Sequence, residues 1–151
     1  MAAVAAYFRK SRADRRMIAL AAVLHVAVAV AVRVLPFGRV RRALDCAAAL
    51  GPRASGVADI DTRAVSAVRS VASILPGGNC LTEALVAQCL LAWYGCETML
   101  CFGVSRERRP GRPFDAHAWL ERGGAGLLGG RAIVYEPFRH PGRCAPSLSP
   151  R

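Results

Sequence analysis

Residues 76–96 read PGGNCLTEALVAQCLLAWYGC and residues 114–121 read FDAHAWLE, and the fold turns on these two stretches together. The first opens on a turn, Pro76-Gly77-Gly78, and then becomes almost wholly apolar. Asn79 is well suited to cap the helix that comes next, because its side-chain oxygen can accept an unpaired backbone N–H of the first turn. Cys80 then falls in that first turn. The helix is expected to end near Tyr94, with Gly95 at its C-cap. Met99 to Val104 alternates weakly and reads as a strand, and SRERRPGRP (105–113) as an arginine- and proline-bearing loop. FDAHAWLE is a second strand, RGGAG (122–126) a tight turn, and 127–138 one or two strands more. The tail from Arg139 carries three prolines and is expected to be irregular.

Working outward, the residues before Pro76 are helical in pattern. Residues 9–16 (RKSRADRR) precede an apolar run, MIALAAVLHVAVAVAV, over 17–32. Such an order has the charged and apolar regions of a signal peptide, with Ala27-Val28-Ala29 as a cleavage site. As a spanning helix it is short, since about 20 apolar residues are needed, and His25 and Arg33 interrupt it. A buried or membrane-surface helix flanked by basic residues is the preferred reading. Residues 37–50 (FGRVRRALDCAAAL) form a second helix, stopped by Gly51 and Pro52. A flexible stretch over 51–60 leads to a third helix, with Asp61 as N-cap, running to about Leu75. Val65, Val68, Ala72 and Leu75 would share its inner face, and Pro76 ends it. There are no internal repeats. The organisation is a helical N-terminal half feeding an α+β half.

At 151 residues the chain suits one domain. Hydrophobic residues make up 54%, much of the excess being alanine and valine, so a membrane protein is not required. The formal net charge of +11 invites a nucleic-acid or anionic-membrane partner. No recognition-helix motif, RNP-like segment or interleaved aromatics accompany it, so nucleic acid is not expected. An acidic peptide partner accounts for the charge equally well. The 6 cysteines, at 46, 80, 89, 96, 101 and 144, include no CxxC pair, and no histidines cluster beside them. A zinc site is therefore not expected, and neither is any cofactor. Most of these cysteines lie in apolar runs as buried thiols, which favours a reducing cytoplasm.

Cys80 stands apart from the others. At a helix start, unpaired N–H groups and the positive end of the helix dipole stabilise a thiolate. The same N–H groups can hold an oxyanion when that thiolate attacks a carbonyl. Gly77 and Gly78 let a substrate backbone approach closely. A base is needed too, and imidazole titrates in the useful range. His25 lies in the apolar run, where a satisfied core or interfacial histidine is expected. His140 lies in the proline-rich tail. His117 is mid-strand, with Trp119 on the same side two residues on.

A cysteine at a helix start, then a strand, then a strand containing HxW is the order found in transglutaminase-like cysteine peptidases. ILPGGNCLTEALVAQCLLAWYGCETMLCFGV (74–104) with FDAHAWLE resembles the leader peptidase family of lasso peptide biosynthesis, the protease half of a split B protein. DRR (14–16) before an apolar helix and LPFGRVRR (35–42) after it are similar to that family as well. The resemblance covers roughly residues 10–138. It implies an α+β fold in which a helical N-terminal part (1–75) packs on a transglutaminase-like, papain-like core (76–138) with a nucleophile helix and a small antiparallel sheet, followed by an irregular tail (139–151). It implies Cys80 as nucleophile and His117 as base. The third member in that family is an Asp about a dozen residues after the His, and this sequence has Leu128, Gly129 and Gly130 there. Glu121 is placed first for the role, with Asp115 and Glu136 as the other options.

The reaction implied is removal of the leader from a ribosomally made lasso precursor peptide before macrolactam cyclisation. The partners implied are the precursor (leader and core), a leader-recognition partner protein and the ATP-dependent lasso cyclase. The arginine loop at 106–112 and the basic N-terminal helices are candidate docking surfaces. Contact of residues 17–32 with a membrane surface stays open, as do two other readings. One is a transglutaminase-type acyltransferase. The other is a non-enzymatic membrane-associated scaffold with structural cysteines.

Overall fold

The computed structural model describes residues 10–51, 59–105, 116–129 and 135–137. Among them are four helices and four strands: α1 (Arg12–Val34), α2 (Phe37–Leu50), α3 (Ile60–Ala72), α4 (Cys80–Trp93), β1 (Met99–Ser105), β2 (Ala116–Arg122), β3 (Ala125–Leu128) and β4 (Tyr135–Pro137). The strands form one sheet in the order β3-β2-β1-β4, with every neighbouring pair antiparallel. The class is α+β, as the sequence pattern indicates.

Helix α4 is the centre of the molecule. It is buried at Thr82, at every residue from Ala84 to Leu91 and at Trp93. A helix apolar on all sides has to be surrounded. Its surroundings are α1, α2 and α3 on the helical side and β2 on the sheet side. From β2 it receives Ala118 and Leu120, and from β1 Leu100, all three fully or nearly buried. Its buried amide, Gln88, is satisfied: Oε1 accepts from Arg41 Nη1 at 2.6 Å and Nε2 donates to Thr98 O at 3.2 Å. Trp93 Nε1 donates to Ala47 O at 2.7 Å and so ties α4 to α2.

Helix α1 starts before the apolar run. Ser11 caps it, accepting from Asp14 N at 3.1 Å, and Asp14 pairs with Arg63 of α3 at 2.8 Å. Hydrogen bonds from Ser11 and then Arg63, with the charge of Arg63 after them, hold the Asp14 carboxyl below its ordinary range. Met17, Ala21, His25, Val28 and Ala29 face the core. Leu20, Val23, Val26, Val30 and Val34 are exposed, Val23 by 69%, and form an apolar stripe that starts after Arg16. By length and composition α1 could cross a membrane, although part of it is packed against the protein.

Two details of α3 differ from the sequence reading. Asp61 is not its cap: the helix begins at Ile60, and Asp59 precedes it in a left-handed conformation (φ 54°) with no side-chain cap bond. Asp61 instead accepts from Arg122 Nη1 at 2.7 Å and fastens the end of β2 to the start of α3. The inner face is Ile60, Ala64, Ala67, Val68 and Val71, not the set built on Val65, Ala72 and Leu75. The inward stripe is rotated so that Ala64 and Ala67 join Ile60, Val68 and Val71 in the core, and Val65 lies at its margin.

The β2–β3 hairpin closes through Gly123 and Gly124, at φ 57° and 81°. Two consecutive positive φ values make the mirror-image turn that matches strand twist, and glycine takes them without cost. Arg122 pairs with Ala125 and Glu121 with Gly126, but Leu120 pairs with Leu128, so Leu127 is an extra residue in β3. Such a bulge bends the strand and re-aims the residues after it. Leu128 is thereby buried in the core, and Gly129 is delivered beside His117.

Candidate active site

Asn79 caps α4 as its sequence suggests: Oδ1 accepts from Thr82 N at 2.9 Å and from Thr82 Oγ1 at 3.1 Å. Cys80 is thus the first residue of the helix, half-buried and a free thiol. Because β3 pairs with β2 only from Leu120 onward, the N–H of Ala118 lies beyond that ladder, and it donates to Cys80 Sγ at 3.5 Å. The sulfur therefore sits on the backbone of β2 one residue from His117. A backbone donor is thus aimed at the sulfur at the N-terminal end of a buried helix.

The turn before Cys80 is held from α1. Arg33 spans it, donating to Ala29 O at 2.6 Å and to Gly77 O at 2.7 Å. His25 lies under Gly78: a Cβ at Gly78 would stand 2.6 Å from His25 Nε2. Only a glycine allows the ring and the turn to approach so closely. His25 is 1% exposed, and among the described residues neither of its nitrogens has a hydrogen-bond partner. It is a core histidine, as expected.

His117, Trp119 and Glu121 share one face of β2. The His117 and Trp119 rings lie nearly parallel, at 15°, with centroids 6.4 Å apart. Trp119 is buried, and its Nε1 donates to Glu121 Oε1 at 2.6 Å. His117 Nε2 lies 2.9 Å from the carbonyl oxygen of Gly129. Glu121 thus holds the tryptophan beside the imidazole, while the ring nitrogen meets main chain. Asp115, His140 and the loop over 106–112 lie outside the described residues, and so does the side chain of Glu136 on β4.

The remaining thiols among the described residues have other surroundings. Cys89, Cys96 and Cys101 are buried and Cys46 is exposed on α2, while Cys144 lies outside the described residues. Burial pushes the Cys89 thiol up to about 11. Burial also raises Cys96, against a lowering contribution from Arg122. Neither suits a nucleophile at neutral pH.

Three contacts here are absent from a reading of side-chain types: the Ala118 N–H on sulfur, the Gly129 carbonyl on imidazole, and the Arg33 clamp on the turn. The first two are main-chain groups. The only sequence sign of the second is a glycine pair at 129–130, where a carboxylate would be sought.

The sequence profile of the transglutaminase-like superfamily matches residues 22–140, which takes in every element described above except the start of α1. No curated protein and no solved structure matches the chain.

Proposed function

The chain belongs to the transglutaminase-like superfamily, and from that premise we propose that it is a cysteine peptidase which removes the leader from a ribosomally made lasso precursor peptide. The observation that carries this reading is the seat of Cys80: first residue of a capped, buried helix, with Sγ 3.5 Å from the N–H next to His117. Members of the superfamily are typically cysteine peptidases or acyltransferases. The resemblance of 74–104 and 114–121 to lasso leader peptidases supports a leader–core precursor as the substrate.

In the reaction, the Cys80 thiolate attacks the scissile carbonyl carbon and the π pair moves to oxygen. That oxyanion takes hydrogen bonds from N–H groups at the start of α4. As the C–N bond breaks, His117 passes a proton to the leaving amine, which is the new N-terminus of the core. The leader is left as a thioester on Cys80. Water, deprotonated by His117, attacks the thioester and releases the leader carboxylate and the thiol. The freed core amine is the group an ATP-dependent cyclase needs. A partner protein that recognises the leader brings the precursor to the site.

The test uses the full chain, the leader-recognition partner and the precursor encoded beside them, followed by mass spectrometry. Two fragments whose masses sum to the precursor plus one water are expected, and Cys80→Ala should yield none. A product crosslinked through an amine with the leader retained would replace hydrolysis by acyl transfer. Processing that survives Cys80→Ala would overturn both.

A further inference from the structure

We propose that the main-chain carbonyl of Gly129 is the group that orients His117, filling the role a carboxylate side chain would otherwise take. The inference rests on reading Cys80 and His117 as the reacting pair, and it concerns which atom holds the ring.

A carbonyl oxygen can only accept. At 2.9 Å from Nε2 it therefore requires the proton on that nitrogen. In neutral imidazole the lone pair is then on Nδ1, and Nδ1 is the atom that takes the proton from the thiol. During acyl transfer the ring becomes imidazolium, carrying both protons. Nε2–H keeps its bond to Gly129, and the Nδ1 proton goes to the leaving amine. The carbonyl is never protonated, so Gly129 is a positioning residue.

The backbone around residue 129 is built for this contact. Gly129 has φ +84°, a region that L side chains rarely adopt. A Cβ there would lie 2.9 Å from Trp119 Cβ, 3.0 Å from His117 Nε2 and 3.1 Å from Ala118 O. Any side chain at 129, a carboxylate included, would have to push the imidazole or the strand aside. The bulge at Leu127 supplies the extra residue that brings this carbonyl to the ring. Trp119, fixed by Glu121, lies beside the imidazole and limits its rotation. Bulge, positive φ and tryptophan converge on one hydrogen bond.

The test reads the ring directly, by NMR of the full chain labelled with 15N and 13C. Neutral His117 is expected as the Nε2–H tautomer, with a slowly exchanging Nε2 proton that shows a cross-peak to the Gly129 Hα protons. The Nδ1–H tautomer, or an Nε2 proton lying instead against the carboxylate of Asp115, Glu121 or Glu136, would overturn the assignment. Gly129→Ala should abolish the protected proton and lower kcat about tenfold to a hundredfold with little change in KM, the scale of loss when a reacting group is misplaced by about 1 Å. Gly129→Asp should behave like Gly129→Ala, and a gain in turnover there would count against the carbonyl. If either variant fails to fold by circular dichroism, the parent spectrum alone decides. Because that spectrum needs no substrate, a correct tautomer in a chain that cleaves nothing would sink the functional reading and leave this one standing.

Discussion

Removing the cap of α4 tests the reasoning where fold and site meet. In Asn79→Ala, Oδ1 disappears and two bonds go with it, to Thr82 N at 2.9 Å and to Thr82 Oγ1 at 3.1 Å. Losing an N-cap costs about 1 kcal/mol. Thr82 is fully buried, so its hydroxyl also loses its acceptor, at about 1–2 kcal/mol for an unsatisfied buried group. The sum is about 2–3 kcal/mol, or roughly 5–10 °C in Tm for a chain of this length. The second contribution can be removed separately. Thr82→Val deletes the hydroxyl and leaves the cap bond to the main chain. The double variant should then be less damaged than Asn79→Ala alone, giving a coupling of about 1 kcal/mol. Urea titrations of the four proteins, compared at constant m-value, measure every corner of that cycle. A loss below about 0.5 kcal/mol for Asn79→Ala, or strict additivity of the pair, would show that the cap and buried hydroxyl do not hold the start of α4.

Other expectations rest on the same contacts. His25→Leu should stabilise the fold by about 1 kcal/mol, because it trades a buried ring with two unpartnered nitrogens for an apolar side chain; a lower Tm would mean that the ring has a partner outside the described residues. Cys89 gives a pH dependence with a definite sign. Its pKa is about 11 in the fold against an ordinary thiol value of 9.0, so the folded state keeps a proton that the unfolded chain gives up. Stability from this group is complete below about pH 9 and falls as pH rises toward 11, and a Cys89→Ala variant should lose that share of the alkaline slope. Val23→Glu with Val30→Glu on the apolar stripe of α1 should leave the Tm within a few degrees, since both side chains are exposed; a larger fall would mean that the stripe is packed in the folded protein.

Much of the fold is legible because the sequence states it twice, once in hydrophobic pattern and once in stop signals. Phe37–Leu50 is bounded by Pro36 and Gly51, and Cys80–Trp93 by Asn79 and Gly95, so pattern and punctuation agree on both helices. The hairpin after β2 is equally plain, since two adjacent glycines admit the turn its strands require. α3 is harder. Asp59 and Asp61 flank its start with equal claim to a cap, and neither side chain makes one: Asp59 is left-handed without a cap bond, and Asp61 is taken by Arg122, 61 residues away in sequence. Its inner face is obscured for a related reason. Periodicity built on Val65 favours one face, whereas the packed face takes Ala64 and Ala67 inward beside Val68 and Val71.

The candidate site divides along another line. Cys80 and His117 can be singled out because a thiol at a capped helix start and an imidazole in HAW are side-chain signals. The groups around them are mostly main chain. Every residue has a carbonyl and all but proline an N–H, so no residue type announces that Ala118 will face the sulfur or Gly129 the imidazole. Those assignments come from register: β3 stops short of Ala118, and one extra residue at Leu127 turns the chain toward His117. On the proposal made above, the third partner of the pair is sought among main-chain groups as well as among carboxylates. Glycine at 129 is the position's real signal, because the close approach it permits is the contact itself. A missing acid and an obligatory glycine are then one observation, and the φ of +84° explains both.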